Sequence, residues 1–371
     1  MPKPKIFRTI TGKELSLPVF FPDATRAVLK TLDSADIEST KTQGILVNTF
    51  HLNNFPGSDV IKEHGGVRNF MSWSGATISD SGGFQVMSLA KKFGGKNSVS
   101  DEGVKFKVPN TKKRILFTPK MSIDLQIVLQ TDMVVVLDDF TDIDANSYKE
   151  RETVERTIMW AKECKQIFQK AVEDQKIPPE KRPYLLGVVQ GGNDPILRKE
   201  CTDRLVEIGF DGLGWGGWPI QDGKINFETA KIIAANSPEE YFLYGLGVGK
   251  PEDIVESVNL GWNIFDCVLP TRDARHKRLY VYNAKTIDDI DVTAKSFYTF
   301  YVPDKEVNTH DHNPVSTACD CLLCTRYDRS YLRHLFQVGD MTAGRLATIH
   351  NLRFYSILME KLQTIYQNKN A

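Results

Sequence analysis

Short runs of consecutive apolar residues recur along the chain, and amphipathic stretches separate many of them. The runs have the length of buried strands, and they lie at 44–48, 76–79, 133–137, 184–189, 241–246 and 263–268. Helical periodicity covers about 147–172 and 195–208, and a further helix is predicted to begin at Pro251 and to end before Gly261. Strands that alternate with helices form a parallel sheet. Their number favours an α/β chain folded as a closed (β/α)8 TIM barrel.

The pattern changes after Thr271, where a basic run is followed by a strand-like segment at 279–282 and a loop-rich stretch that extends to Asp320. Two helical patterns follow, at about 326–338 and 341–368. The predicted barrel therefore covers 1–300, with a polar insertion near 91–118 that forms loops or small hairpins. Residues 301–371 are predicted to form a C-terminal subdomain with the terminal helices.

Composition excludes several classes of protein. The 371 residues are 41% hydrophobic and 25% charged, which is typical of a globular chain and not of a disordered or fibrous one. The 47 basic residues balance the 47 acidic ones, so any contact with nucleic acid must come from a local patch. No apolar run is long enough to span a membrane, and the basic N-terminus lacks the apolar segment of a signal peptide.

The six cysteines are distributed as in a metal protein rather than a disulfide-bonded one, which predicts a reducing, cytoplasmic compartment. Cys319, Cys321 and Cys324 are clustered, and His350 on the terminal helix is the predicted fourth ligand. Three thiolates and one imidazole form a closed tetrahedral site for one structural zinc ion, so the C-terminal subdomain is predicted to bind zinc. The alternative fourth ligands are two histidines nearer in sequence, His310 and His312.

Carboxylates stand at or near the ends of three apolar runs, as Asp80, Asp138 and Asp266. A single Asp after a strand is more often a turn or cap residue, but the strand ends of a barrel converge on one catalytic face. Glycine pairs lie beside several strand ends, at 82–83, 191–192 and 216–217, and they allow a ligand to approach the backbone closely. The combination predicts a pocket for a flat, hydrogen-bonding heterocycle. Two carboxylates that face one sugar bond also support glycosyl transfer by double displacement.

A basic run at 272–278 begins six residues after Asp266 and should lie at the rim of the same face. It is either a solvated loop or a set of phosphate contacts to a nucleic acid.

The glycines at 245–249 do not form a phosphate-binding P-loop, because Tyr244 and Pro251 occupy the positions that require glycine and a hydroxyl residue.

These motifs occur together, and in the same order, in one known family. The chain resembles tRNA-guanine transglycosylases, also called queuine tRNA-ribosyltransferases, which are (β/α)8 barrels with a zinc subdomain, and the bacterial ones are typically homodimers. The matching segments are 48–52 (NTFHL), 79–86 (SDSGGFQV), 189–192 (VQGG), 210–212 (FDG), 247–251 (GVGKP), 265–272 (FDCVLPTR), and the cysteine cluster with 350–352 (HNL).

The resemblance implies a reaction and a role for each site residue. Asp266 is the expected nucleophile on C1′ of the wobble-position ribose in the tRNA anticodon loop, and Asp80 is the expected general acid and base. A 7-deazaguanine then replaces guanine through a covalent ribosyl-aspartate intermediate. The expected substrate-binding residues are Ser81, Phe84, Asp138, Gln190, Gly217 and Leu246, and the expected RNA-binding residues are Arg272, Arg275, Lys277 and Arg278.

The chain departs from the common bacterial pattern around the 7-substituent of the base. Asp139-Phe140 stands where Glu-Cys is usual, Trp218-Pro219-Ile220 where a Leu-Ala-Val type run is usual, and Leu246 replaces Met. The bulk of these side chains favours a small substituent, such as the aminomethyl group of the pre-queuosine base, with queuine or the cyano-deazaguanine as alternatives. Two other hypotheses are a non-catalytic RNA-binding subunit of the same fold and a barrel glycosidase. The pair of carboxylates argues against the former, and the cysteine cluster with the basic rim argues against the latter.

Overall fold

The computed structural model describes residues 4–93, 98–107, 114–140, 145–217, 220–221 (backbone only) and 224–369. Eight parallel strands form a nearly closed barrel, which confirms the predicted α/β barrel fold. The strands are β1 (Val19–Pro22), β2 (Gly44–Val47), β3 (Ala76–Ser79), β4 (Met133–Val135), β5 (Tyr184–Val189), β6 (Gly212–Trp215), β7 (Phe242–Gly245) and β8 (Ile264–Cys267).

Each barrel strand pairs in parallel with its neighbour, in the order β1, β8, β7, β6, β5, β4, β3, β2. The ring closes between β1 and β2 through a parallel bridge from Asp23 to Leu46 and a 2.7 Å hydrogen bond from the amide of Ala24 to the carbonyl of Leu46. The carboxyl ends of all eight strands therefore lie on one face of the barrel.

The helices that alternate with the strands begin and end close to the predicted positions. The helix Pro195–Ile208 is capped by Asp194, whose carboxylate accepts the amides of Ile196 and Leu197. The pattern predicted at 326–338 is not one helix, because Asp328 caps a new helix at that point by accepting the amide of Tyr331 at 2.7 Å. The α-helices are Ser34–Ser39, Thr49–Leu52, Ser58–Glu63, Val67–Met71, Gly83–Phe93, Pro119–Leu129, Ser147–Asp174, Pro195–Ile208, Phe227–Ala235, Pro251–Asn259, Leu269–Arg275, Leu322–Arg326, Arg329–Val338 and Met341–Lys369.

Small sheets and helical turns complete the fold. The strands Ile6–Arg8 and Glu14–Ser16 form a hairpin whose buried Phe7 ring contacts the rings of Phe21, Tyr184 and Phe242 and so covers one end of the barrel. The predicted insertion contains an antiparallel sheet of Val99–Ser100, Gly103–Lys107 and Arg114–Phe117 in its described residues. The remaining pairs are Ile220–Gln221 with Lys224–Ile225 and Leu279–Tyr282 with Tyr298–Tyr301, and short turns lie at Asn53–Gly57, Pro179–Lys181 and Glu306–His310.

The terminal helix Met341–Lys369 packs against the barrel instead of standing apart from it. Tyr355 donates its hydroxyl to the carbonyl of Gly249 at 2.6 Å, and Asn351 donates its amide to the carbonyls of Pro270 and Arg278 at 3.0 Å. Within the described residues, none of the helices combines the length and apolar character needed to cross a lipid bilayer. The predicted domain boundary at residue 300 stays a prediction.

Candidate active site

The carboxyl ends of the strands bring the predicted catalytic and base-binding residues to one rim. Asp266 lies within β8, Asp80 directly follows β3, and Asp138 lies three residues after β4. Gln190 directly follows β5, and Gly217 follows β6. Residues that are far apart in sequence thus share one face because parallel strands all end there.

Asp80 is fixed by three hydrogen bonds to its carboxylate. One oxygen accepts the side-chain amide of Asn48 at 2.5 Å, and the other accepts the backbone amides of Thr49 at 3.0 Å and Gly82 at 3.1 Å. Asn48 also caps the helix Thr49–Leu52 by accepting the amide of His51 at 2.9 Å. The side chain that holds Asp80 is therefore itself locked in place.

Asp266 is held from the neighbouring strand and from the glycine-rich loop. Its Oδ1 accepts the hydroxyl of Tyr244 at 2.7 Å and the backbone amide of Gly247 at 2.9 Å. Gly247 has a φ of +73°, a conformation that favours glycine, and this aims its amide at the carboxylate. The glycines that fail as a phosphate loop thus orient a carboxylate.

Burial raises the pKa of both carboxyl groups, but to different values. It raises the pKa of Asp80 to about 7, and the charges of Asp23 and Asp266 add to this effect. Burial also raises the pKa of Asp266 to about 6, against the hydrogen bonds from Gly247 and Tyr244, which lower it. Near neutral pH the site therefore holds one carboxyl group that retains a proton more readily than the other, the arrangement that acid–base chemistry requires.

A second pair of polar groups lies further round the rim. Gln190 is buried and donates its side-chain amide to Asp138 at 2.6 Å, while burial raises the pKa of Asp138 to about 6. Gly217 has a φ of +78°, and a Cβ there would lie 3.0 Å from the side-chain oxygen of Gln190. Any larger residue would therefore crowd the edge where a flat ligand could hydrogen-bond.

Arg198 supports this part of the rim from below. Its guanidinium is fully buried and donates to the carbonyls of Val189 at 2.6 Å, Gly192 at 2.8 Å and Gly216 at 2.9 Å. Burial lowers the pKa of Arg198 to about 10, so it stays charged at neutral pH. One side chain thus ties together the loops that follow β5 and β6.

The other predicted base-binding residues occupy three different settings. Phe84 is 53% exposed and stacks on Phe140, with the ring centroids 5.6 Å apart and the planes 10° apart. Leu246 lies against the backbone of β6, since a Cβ on Gly214 would lie 2.8 Å from its methyl carbon. Ser81 is buried, and its hydroxyl accepts the amide of Gly83 at 3.1 Å, so it shapes the turn.

The structure describes some of the residues that depart from the common bacterial pattern. The carboxylate of Asp139 is buried and pairs with Arg156 at 2.6 Å, so it is directed into the helix Ser147–Asp174. Trp218 and Pro219 lie outside the described residues, and of Ile220 only the backbone is described.

The basic run lies on and after the helix Leu269–Arg275, which directly follows β8. Arg272 has a side chain that is 52% exposed, and Arg275 donates to the carbonyl of Thr271 at 2.7 Å. Lys277 forms an ion pair with Asp304 at 2.5 Å, and Arg278 stacks on Phe300 at 3.8 Å from the ring centroid. The charge of Arg275 acts on Asp23, whereas Lys277 and Arg278 are engaged by Asp304 and Phe300.

The predicted metal ligands form one cluster. The donor atoms of Cys319, Cys321, Cys324 and His350 all lie within 4.8 Å of one another. Nδ1 of His350 is 3.5 Å from the sulfur of Cys321 and 3.2 Å from that of Cys324, while its Nε2 lies 2.8 Å from the carbonyl oxygen of Tyr280. A hydrogen bond from Nε2 to that carbonyl leaves Nδ1 free to bind a metal, which is the usual arrangement at metal-bound histidines. The alternative ligands His310 and His312 are exposed and are not part of the cluster.

Comparisons with known proteins identify the family of the chain. A family model described as Queuine tRNA-ribosyltransferase matches residues 6–370. The chain belongs to the queuine tRNA-ribosyltransferase family. The relatives include a queuine tRNA-ribosyltransferase from Acinetobacter baylyi, 36% identical over 96% of this chain and 86% of the relative. Another protein of that name, from Thioalkalivibrio sulfidiphilus, is 37% identical over 93% of this chain and 86% of the relative.

Three residues of this queuine tRNA-ribosyltransferase family member were missed by sequence reasoning. Tyr244 stands inside an apolar run and gives no sign that its hydroxyl is directed at Asp266. Arg198 is a charged residue in a helix and was not expected to be buried, although it lies at helical spacing from the buried Cys201 and Leu205 and is itself fully buried. Asp23 follows a strand that was not recognised because it ends in Pro22 and follows Pro18, although the rule applied to Asp80 would have identified this residue.

Proposed function

We propose that this protein is a tRNA-guanine transglycosylase that exchanges the wobble-position guanine of tRNA for a 7-deazaguanine. The observation that carries the proposal is that Asp80 and Asp266 stand at the carboxyl ends of β3 and β8 and so share one face of the barrel. A rim that also presents Asp138, Gln190 and Gly217 suits the hydrogen-bonding edge of a guanine. Membership of the family supports the same reaction.

The proposed chemistry is a double displacement with retention at C1′. The free Oδ2 of Asp266 attacks C1′ as the bond from C1′ to N9 of guanine breaks, and protonated Asp80 transfers its proton to the departing base. The incoming deazaguanine then loses its N9 proton to Asp80 and attacks C1′, which releases Asp266 as a carboxylate. The pKa of about 7 for Asp80 and about 6 for Asp266 suits the proton donor and the nucleophile, respectively.

The target nucleotide must leave its stack to reach a pocket at the end of a barrel. We place guanine between Phe84 and Leu246, with its polar edge against Asp138, Gln190 and the backbone at Gly217. Arg272 and Arg275 then contact the phosphates of the anticodon loop, since they lie just beyond Asp266. Lys277 and Arg278 contribute less, because Asp304 and Phe300 already engage them.

For the incoming base we propose the pre-queuosine base, with its small aminomethyl group. Phe140 stacks on Phe84 beside the proposed base site, and its bulk restricts the space available to a 7-substituent. The carboxylate of Asp139 is committed to Arg156, so selection would depend on size more than on this charge. Queuine and the cyano-deazaguanine are the alternatives.

The cysteine cluster is proposed to hold one structural zinc ion. Three thiolates with an imidazole are the donors of closed zinc sites, and the second ring nitrogen of His350 is held by the carbonyl of Tyr280. Zinc would connect the loop of the three cysteines to the terminal helix without taking part in the reaction. A homodimer is also proposed from the family resemblance, and the cytoplasmic location stays a prediction from the cysteines.

Exchange of labelled guanine into a tRNA anticodon stem-loop tests the function. We expect incorporation at the wobble position only, and competition by aminomethyl-deazaguanine at lower concentration than by the cyano- or cyclopentenediol-bearing bases. No incorporation by the purified protein would support the non-catalytic subunit instead. Equal competition by all three bases would contradict the proposed selection by size, while leaving the reaction itself intact.

A further inference from the structure

Asp23 is a third acidic residue at the rim, between the two proposed catalytic carboxylates. It directly follows β1, and β1 lies between β8 and β2 in the barrel. Its backbone amide donates to the carbonyl of Cys267 at 3.4 Å, next to Asp266. Four consecutive strands therefore present Asp266, Asp23, Asn48 and Asp80 in that order around the rim.

The carboxylate of Asp23 faces the same space as those neighbours. Its charge acts on Asp80, on Asp266 and on the hydroxyl of Tyr244. Thr25 donates its hydroxyl to Oδ1 of Asp23 at 2.6 Å and so fixes the side chain. Within the described residues no side-chain donor reaches Oδ2, which leaves that oxygen available to accept a hydrogen bond from a ligand.

The direction of the target nucleotide follows from the rest of the rim. The proposed base site uses the ends of β4, β5 and β6, and C1′ must lie at Asp266 on β8. The sugar therefore extends from Asp266 toward β1 and β2, on the side of the barrel where Asp23 stands. The 3′ and 5′ oxygens of an internal nucleotide are esterified, so its only hydroxyl is the 2′-hydroxyl, on the carbon adjacent to C1′.

We propose that Asp23 accepts a hydrogen bond from the 2′-hydroxyl of the ribose being transferred, and that this bond makes the protein prefer RNA to DNA at the exchanged nucleotide. The inference rests on the proposed function, because it concerns the sugar of that reaction. The 2′-hydroxyl is the group by which a protein distinguishes RNA from DNA at a given site. A hydrogen bond to a charged acceptor is worth about 10- to 100-fold in the rate constant.

The test compares two anticodon stem-loops that differ in one atom. The target nucleotide is guanosine in one and 2′-deoxyguanosine in the other, and kcat/KM for incorporation of labelled guanine is measured for both. We expect the native protein to prefer the ribose substrate by about 10- to 100-fold. Asp23→Ala should reduce this preference about tenfold or more, because the ribose substrate loses more of its rate than the deoxyribose substrate does.

Two further variants should reduce the preference for ribose by intermediate amounts, and a third variant is the control. Asp23→Asn keeps an acceptor oxygen without the charge and should show an intermediate preference, while Thr25→Val should weaken the preference by releasing the carboxylate. Asp174 is exposed at the end of the helix Ser147–Asp174, and Asp174→Asn should show the same preference for ribose as the native protein. Thermal unfolding of each variant establishes that it is folded. If Asp23→Ala does not fold, Thr25→Val still tests the inference.

The outcomes are distinguishable. If the native protein exchanges neither substrate, the proposed function fails. If it exchanges both equally well, or if Asp23→Ala lowers both rates by the same factor, the inference about the 2′-hydroxyl is overturned. An equal loss of both rates in Asp23→Ala would show that Asp23 acts only through its charge on Asp266.

Discussion

The hydroxyl of Tyr244 lies 2.7 Å from Oδ1 of Asp266, and the two residues belong to adjacent strands of the barrel. Burial and three nearby carboxylates raise the pKa of Tyr244 well above its ordinary value, so the phenol keeps its proton and donates it. In the described part of the chain both hydrogen bonds to this carboxylate reach Oδ1. The other oxygen is left free, and a nucleophile requires one free oxygen.

Removal of that hydroxyl should change the pH dependence of the reaction. Tyr244→Phe removes a hydrogen bond that lowers the pKa of Asp266, which should then rise by about one unit. We expect kcat/KM to fall about fivefold at pH 6 and to change little at pH 8, where Asp266 is mostly ionised in both proteins. Tyr148→Phe, at an exposed position, is the control. An equal loss at both pH values would contradict this role.

The native protein should have a narrow, bell-shaped pH profile. Asp266 must be ionised to attack, so kcat/KM for tRNA falls as the pH drops through the pKa of about 6. Asp80 must be protonated to release guanine, so kcat/KM falls again as the pH rises through the pKa of about 7. Initial rates measured from pH 5 to 8.5 test this expectation. A profile that is flat across that range would argue against both assignments.

Replacement of the nucleophile should abolish the exchange. Asp266→Ala leaves no carboxylate to form the covalent intermediate, and we expect a loss of more than about 10³-fold in kcat. The protein–RNA adduct that survives denaturation should disappear as well, as gel electrophoresis with labelled RNA would show. Asp80→Asn should also be nearly inactive, although it keeps Asp266. Exchange that survives Asp266→Ala would show that another group attacks C1′.

Loss of Arg198 should disturb the base site and the stability of the fold together. Arg198→Met removes the side-chain donor to the carbonyls of Gly192 and Gly216 and one of the two donors to that of Val189, and we expect a loss of about 3 kcal/mol in the free energy of unfolding. The KM for guanine should rise more than the KM for tRNA, because the carbonyls belong to the loops after β5 and β6. Arg204→Met on the same helix, where the arginine pairs with Glu155 near the surface, should cost less than about 1 kcal/mol. Urea unfolding and separate KM measurements would check both effects.

The cysteine cluster predicts a metal-dependent C-terminal region. Cys321→Ser removes one of four ligands, so zinc should be lost and the melting temperature should fall by about 5 °C or more. Cys164→Ser replaces a buried thiol outside the cluster and should keep its zinc. Metal analysis and thermal unfolding measure the two effects. A full complement of zinc in Cys321→Ser would contradict the assignment of the site.

The sequence predicted the site best where a chemically reactive residue type stands at a position that the fold makes recognisable, such as a strand end. Asp80 and Asp266 could be selected because they stand at or near the ends of apolar runs, and the three cysteines because of their spacing. Two strands were missed for physical reasons: β1 follows Pro18 and ends in Pro22, and β6 contains two glycines. Gly212 is required there because a Cβ would lie 2.4 Å from the carbonyl oxygen of Phe242. Periodicity does not show such close approaches between strands.

The supporting side chains could not be predicted in the same way. Arg198 is polar and lies on a helix, and only the folded chain shows that its partners are carbonyls from two loops. Tyr244 is equally suited to an apolar core, and its role depends on Asp266 in the next strand. Such roles are set by contacts between segments distant in sequence, and no local pattern records them.

The contacts of the last helix make the end of the chain essential to chemistry that is encoded much earlier. Asn351 and His350 hold backbone carbonyls within and after the helix Leu269–Arg275. Tyr355 holds the loop 245–249, in which the amide of Gly247 reaches Asp266. A premature stop codon just before residue 341 would spare every proposed catalytic and base-binding residue. The truncated product would nevertheless lose the contacts that align the proposed nucleophile and the proposed RNA-binding arginines, and we expect it to be inactive.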